Sequence, residues 1–217
     1  MLAATMTNAT EEALAGLFPP GTAVAALVIA DNREPPLPAE AAAVAGAIPR
    51  RQAEFAAGRA AARAALRALG HAPLAIPSGP QRQPLWPADI GGSIAHAAGL
   101  AVAAVRRGGP LGIDIEPDQG LDADLWPLIC TPEERAALPV SDRGAHVRRV
   151  FAAKEAVFKA QFPVTGAMLG FDDVTVRLTA AGFVARFARQ TGPFAAGQEL
   201  SGRLVRAQGL ILTGVSL

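Results

Sequence analysis

The order of its helix-forming and strand-forming runs constrains this chain most: a long helical stretch followed by short apolar strands occurs twice. The first stretch runs from Arg50 to Leu69, with Pro49 placed for a first helical turn and Gly70 for the stop. The second runs from Ala145 to Ala160 and is expected to end at Pro163 and Gly166. Apolar runs at 100–105 and 111–116 follow the first helix, and runs at 174–178, 183–187 and 204–212 follow the second. The run 22–29 reads as a further strand. Gly108-Gly109-Pro110 is the natural midpoint, although no residue-level repeat is visible. The pattern predicts an α+β protein with an N-terminal lobe, 1–109, and a C-terminal lobe, 110–217.

Smaller features fill the gaps. Helix formers run from Ala39 to Ala47, and Pro73 to Pro87 is a proline-rich connector. Gly91-Gly-Ser-Ile-Ala-His96 reads as a glycine-rich loop entering the strand at Leu100, and Leu111–Glu116 as the strand returning from it. Thr131 is placed to cap a short helix beginning at Pro132. With 217 residues, 51% of them apolar, a sizeable core is available. The net charge of +1 gives no global attraction to nucleic acid or anionic membrane. Cys130 stands alone, which excludes an intrachain disulfide and a cysteine zinc motif. It reads as a small buried hydrophobe. No apolar stretch reaches 18 residues uninterrupted, and the first residues lack the pattern of a signal peptide, so a cytoplasmic chain is expected.

Against this background the charged residues stand out. The chain has only two lysines, Lys154 and Lys159, in one run with Glu155 between them. At 100° per residue, Lys154 falls among Val147, Val150, Phe151, Val157 and Phe158. An ammonium there must either meet an anion or snorkel to the rim. Upstream, Gly112-Ile-Asp-Ile-Glu116 puts Asp114 and Glu116 on one face of a strand and Ile113 and Ile115 on the other. Paired carboxylates suit Mg²⁺, which takes few protein ligands and shares substrate phosphates; a solvated strand face is the plainer reading. With Glu155 as a third carboxylate, the set describes a metal–phosphate constellation. On the first helix, Arg51 and Arg59 border the apolar face of Phe55, Ala62, Leu66 and Leu69, with Arg63 further round. These guanidinium groups either hold a phosphate or serve as surface charges. His96 contacts a phosphate or base, or is structural. Trp86, between Pro84 and Pro87, packs the connector onto the core. Neither a P-loop nor a dinucleotide-binding glycine fingerprint is present.

Taken in order, these motifs resemble the 4′-phosphopantetheinyl transferase superfamily, specifically its two-lobed type and the enterobactin synthetase component D branch. The matching segments are Arg51-x-x-Glu-Phe-x-x-Gly-Arg59, Arg82-x-Pro-x-Trp-Pro87, Gly92-Ser-Ile-x-His96, Gly112-Ile-Asp-x-Glu116, Phe151-x-x-Lys-Glu-Ala-x-Phe-Lys159 and Phe171-x-Asp173. The resemblance implies two similar lobes, each a long helix on a small antiparallel sheet, with coenzyme A in the cleft between them. It implies transfer of the 4′-phosphopantetheine arm to a serine of an apo acyl or peptidyl carrier protein. Asp114, Glu116 and Glu155 would be Mg²⁺ ligands, and Glu155 and Lys154 the catalytic base and the leaving-phosphate lysine. Arg51, Arg59, Arg82, His96, Asp114, Lys154 and Lys159 would contact coenzyme A, with Arg51 and Arg59 near its 3′-phosphate. A monomer acting without nucleic acid or membrane is expected, and Arg148 and Arg149 are placed to meet an acidic carrier helix. Ala95 departs from the family's Ser or Thr before the histidine, so Ala95→Ser is expected to strengthen coenzyme A binding unless Ser93 compensates. A Mg²⁺-dependent nuclease and a non-catalytic coenzyme A- or carrier-binding protein are the competing readings.

Overall fold

Two antiparallel sheets carry the fold, and each is covered by one of the two long helices. The computed structural model describes residues 2–217. In chain order the elements are α1 (Leu2–Ala15), β1 (Thr22–Val28), α2 (Pro38–Ala41), α3 (Pro49–Ala68), β2 (Ile90–Ala97), β3 (Leu100–Arg107), β4 (Leu111–Pro117), α4 (Trp126–Ile129), α5 (Pro132–Ala136), α6 (Arg143–Thr165), β5 (Val174–Thr179), β6 (Gly182–Phe187), β7 (Glu199–Ala207) and β8 (Leu210–Ser216). One sheet has the order β1-β3-β2 and the other β4-β8-β7-β6-β5. Helix α3 packs on β1 and β3, and α6 on β4 and β8. The fold is mixed α+β, in keeping with the expected pseudo-duplicated arrangement. No helix of the described residues is long and apolar enough to cross a membrane.

The apolar residues divide accordingly into three clusters. Ala61, Ala65, Leu66 and Val105 lie beneath α3. Val147, Val150, Val157, Phe183 and Phe187 lie beneath α6. The third joins the sheets, where Leu14, Leu17 and Phe18 of α1 and its exit meet Ala95, Leu111, Ile113 and Leu212. Helix α1 is thus a strap, and Glu11 on it accepts a hydrogen bond from the Ala26 amide of β1 at 2.8 Å.

Several local expectations are corrected. Gly91–His96 belongs to strand β2, not to a loop. Its glycines mark close approaches: a side chain at Gly91 would overlap the Gly109 carbonyl, and one at Gly92 would meet the Trp86 indole at 2.6 Å. Strand β4 does not return along β3, because β1 and β2 already occupy both edges of β3; it pairs with β8 instead. The run 204–212 is two strands, divided at Gln208 and Gly209, both with positive φ (54° and 73°). Residues 39–47 form only the short α2 and a 3-10 turn. Pro163 lies inside the last turns of α6, and left-handed Gly166 ends the helix. Helix α1 was not foreseen, since Thr5, Thr7, Asn8 and Thr10 dilute its helix propensity. The predicted cap at Thr131 is present as a capping box with Glu134. Gly112 positions the site most directly, since any side chain there would overlap the Ala156 carbonyl of α6. Strand and helix therefore run backbone against backbone.

Candidate active site

That close contact turns alternate residues of β4 towards α6. Asp114 is 5% exposed. Its Oδ1 accepts a hydrogen bond from Lys159 Nζ at 2.6 Å, and Lys159 also donates to the Ile113 carbonyl at 3.1 Å. Asp114 Oδ2 is buried without any partner. Burial raises the Asp114 pKa above the usual aspartate value, against the pull of Lys159. Glu116 Oε2 accepts from Arg148 Nη1 at 2.7 Å, and Arg148 Nε donates to the Gln119 carbonyl at 3.1 Å. Burial raises the Glu116 carboxyl, Asp114 adds to the rise and Arg148 opposes it. Glu155 has no hydrogen-bond or ion-pair partner among the described residues; burial raises it, Lys159 opposes and Asp114 adds. Glu116 and Glu155 therefore each lie within electrostatic reach of Asp114 and Lys159.

Lys154 does not join them. Its ammonium donates to Glu134 Oε2 at 2.7 Å, to the Ile129 carbonyl at 2.9 Å and to the Phe171 carbonyl at 2.6 Å, which uses all three protons. Glu134 is equally committed, accepting from the Thr131 amide at 2.7 Å and the Val176 amide at 2.6 Å. The anion that a lysine among phenylalanines requires is thus supplied by the protein itself, in a buried ion pair. Sequence reasoning missed Glu134, which lies 20 residues away along the chain.

The N-terminal groups divide in the same way. Arg51 Nη1 donates to His96 Nε2 at 2.7 Å, so the ring of His96 keeps its proton on Nδ1, 3.8 Å from Glu54. Burial lowers the His96 pKa, Glu54 opposes this and Arg51 adds to it. Arg59 lies 4.4 Å above the Phe55 ring and donates to the Ile76 carbonyl at 2.7 Å and Ser78 Oγ at 3.0 Å. Burial lowers its pKa to about 10. It holds the connector more than it faces solvent. Arg63 is not a phosphate group but a buried partner of Glu40, at 2.9 Å. Arg82, with φ of 65°, lines a cavity of about 220 Å³ between β2 with the connector and α6. Trp86, Ser93 and Ile94 form its N-terminal wall, and Phe158, Lys159 and Phe162 the opposite one. Trp86 Nε1 is buried there without a partner. A second groove, of about 250 Å³, runs beside Glu155 between Phe158, Met168, Leu169 and Phe171. Ser93 Oγ accepts from the Ile113 amide at 3.1 Å and so ties β2 to β4. Ala95 packs into the cluster between the sheets, on the opposite face of β2 from His96. A hydroxyl at that position would enter apolar surroundings.

The oxygen donors suit a hard divalent cation, and the orphaned Asp114 Oδ2 and unpaired Glu155 are open to one. Among the described residues, however, no three His, Cys, Asp or Glu side chains stand together as a metal-ligating group. Glu116 is turned to Arg148 instead.

Residues 39–106 match the 4′-phosphopantetheinyl transferase N-terminal domain, and residues 110–205 match the 4′-phosphopantetheinyl transferase superfamily. The 4′-phosphopantetheinyl transferase Svp of Streptomyces mobaraensis is 38% identical over 192 residues, covering 83% of this chain and 78% of that protein. The chain belongs to the 4′-phosphopantetheinyl transferase superfamily. Another relative, the 4′-phosphopantetheinyl transferase PptT of Mycobacterium tuberculosis, is 37% identical over 195 residues, covering 84% of this chain and 86% of its own. Enterobactin synthase component D of Escherichia coli K12 is 40% identical over 134 residues, covering 58% of this chain and 62% of its own. The superfamily likeness thus extends over more of the chain in Svp and PptT than in component D, and does not single out the component D branch.

Proposed function

We propose that this protein transfers the 4′-phosphopantetheine group of coenzyme A to a serine of an apo acyl or peptidyl carrier protein, releasing adenosine 3′,5′-bisphosphate. The observation that carries the proposal is the buried, partnerless Asp114 Oδ2, with unpaired Glu155 near it, in a chain of this superfamily. A carrier of a polyketide, nonribosomal peptide or siderophore assembly line is the substrate class proposed, the last following from the likeness to component D.

Asp114, Glu116 and Glu155 would hold Mg²⁺. When bound, the ion would supply charge neutralisation at the pyrophosphate. Lys159 has one proton left after its bonds to Asp114 and Ile113, and that proton is offered to a phosphate oxygen as charge develops on the departing bisphosphate. Lys159 therefore takes the role expected of Lys154. Glu155, which has no partner among the described residues, accepts the proton of the carrier serine as its oxygen attacks the β-phosphorus. Arg51, Arg82 and the imidazole of His96 bind the 3′-phosphate end, while Arg59 steadies the connector that bears Arg82. The apolar groove beside Glu155 receives the transferred arm. Phe158 lines both cavities and so separates the charged end of the substrate from the transferred one.

Purified apo carrier protein incubated with coenzyme A and Mg²⁺ tests the proposal. The expected result is a mass gain of one phosphopantetheine group on the carrier, with one equivalent of adenosine 3′,5′-bisphosphate released. Coenzyme A binding without any mass gain would point instead to a non-catalytic binder.

A further inference from the structure

Each carboxylate of the β4 pair already has a cation. Lys159 sits on Asp114 at 2.6 Å, and Arg148 sits on Glu116 at 2.7 Å. The two cations differ in what they leave behind. Lys159 leaves Asp114 Oδ2 orphaned, so that carboxylate still offers an oxygen. Arg148 comes from the helix that also bears Glu155, two turns earlier, and its guanidinium bridges Glu116 to the Gln119 carbonyl. Glu116 is therefore held towards the 119 loop while Glu155 stands unpaired, and no three-carboxylate group is assembled.

We propose that Arg148 is a positioning residue that competes with the divalent cation for Glu116, so that the ion binds only as the Arg148–Glu116 pair opens. The inference rests on the cation site proposed above. Arg148 and Glu116 are 19% and 17% exposed, so their ion pair is partly screened and breakable. A residue with this role lowers cation affinity in the absence of substrate. Binding of the ion then becomes coupled to a pyrophosphate that brings its own ligands. The neighbouring Arg149 provides a control: it carries the same charge on the same helix, but its Nε donates to the Ala145 carbonyl at 3.1 Å.

Mn²⁺ serves as the probe, with free ion counted by electron paramagnetic resonance in the absence of coenzyme A. Arg148→Gln is expected to tighten Mn²⁺ binding about 1.5- to 5-fold, the change that corresponds to losing a partly exposed ion pair. Arg148→Lys should fall between it and wild type, and Arg149→Gln should match wild type. In a Glu116→Gln background the effect of Arg148→Gln should vanish. Unchanged or weaker Mn²⁺ binding by Arg148→Gln, in a protein whose melting matches wild type, overturns the proposal. So does equal tightening by Arg149→Gln, which would mean a general field rather than a specific pair. Should Arg148→Gln fail to fold, Arg148→Lys decides, and affinity no tighter than wild type overturns the proposal. Absence of any Mn²⁺ binding to both wild type and Arg148→Gln removes the cation site itself, and the inference with it. That outcome is distinct from normal binding that ignores residue 148.

Discussion

Helix α6 carries lysines on two sides, and the two environments differ in one respect that separates scaffold from site. Around Lys154 every group is satisfied: three acceptors take its protons, and Glu134 accepts from two amides besides. Around Lys159 one carboxylate oxygen is left over, and a neighbouring glutamate has no partner. The N-terminal lobe repeats the contrast. Arg63 and Glu40 form a closed pair, with Glu40 also accepting from the Ile76 amide at 2.8 Å. Arg51, His96 and Glu54 form an open one at the cleft, with ion-pair distances of 3.7 and 3.8 Å to Glu54. A closed polar cluster adds specificity to the fold. An open one keeps a desolvated charge waiting for a ligand, a cost retained where function requires it.

The contrast breaks most visibly if the closed cluster is opened. Glu134→Ala strands a buried ammonium and two amides, and is expected to cost about 3–5 kcal/mol of stability, read in a denaturant titration. A variant as stable as wild type would show that the pair contributes little. At the open N-terminal cluster the loss should appear in binding instead. Arg51→Ala is expected to weaken coenzyme A about 10- to 100-fold while changing dephospho-coenzyme A much less, the range of a hydrogen bond to a charged group. Calorimetric titration with both ligands checks this, and equal weakening would remove Arg51 from the 3′-phosphate.

Ala95→Ser sharpens the comparison from the other side. Its hydroxyl would enter the apolar cluster between the sheets, so a loss of about 1–2 kcal/mol in stability is expected, with no gain in coenzyme A affinity. Tighter binding would mean that β2 can turn this residue towards the cleft.

The smallest effect is a slope. Asp114, Glu116 and Glu155 all have pKa values raised in the folded state. Between the usual carboxylate range, near 4, and those raised values, the folded chain binds protons that the unfolded chain has released. Their contribution to stability therefore falls as pH rises through that window. Asp173, held low by its hydrogen bond to Arg189, works in the opposite direction at lower pH. Replacing Glu155 with Gln should flatten the decline above the usual carboxylate range in thermal melts across pH. An unaltered slope would mean that Glu155 titrates normally.

Much of this was legible in the sequence, and what was not has physical causes. The two long helices, five of the strands and the shared face of Asp114 and Glu116 followed from periodicity and punctuation. The demand for an anion at Lys154 was legible too, but its supplier was not: Glu134 lies 20 residues away in sequence, and only tertiary packing brings the two together. Ser93 and Ala95 could not be read for a related reason. Their strand was hidden by Gly91 and Gly92, whose lack of side chains reflects the Gly109 carbonyl and the Trp86 ring, both remote in sequence. Without the strand, neither face could be assigned. Arg59 and Arg63 were both open to a phosphate or a surface role in the sequence, and only their different partners, the connector and Glu40, settle what they hold in the fold.

The central claim is that the unsatisfied cluster, not the closed one, performs the transfer. It is tested most directly by the rate at which Asp114→Asn loads phosphopantetheine onto an apo carrier at saturating coenzyme A and Mg²⁺. The account predicts a protein that stays folded, since the amide oxygen of Asn can still accept from Lys159, yet transfers about 100- to 1,000-fold more slowly, as when a group stabilising transition-state charge is removed. A folded Asp114→Asn protein that loads the carrier at the wild-type rate would contradict it.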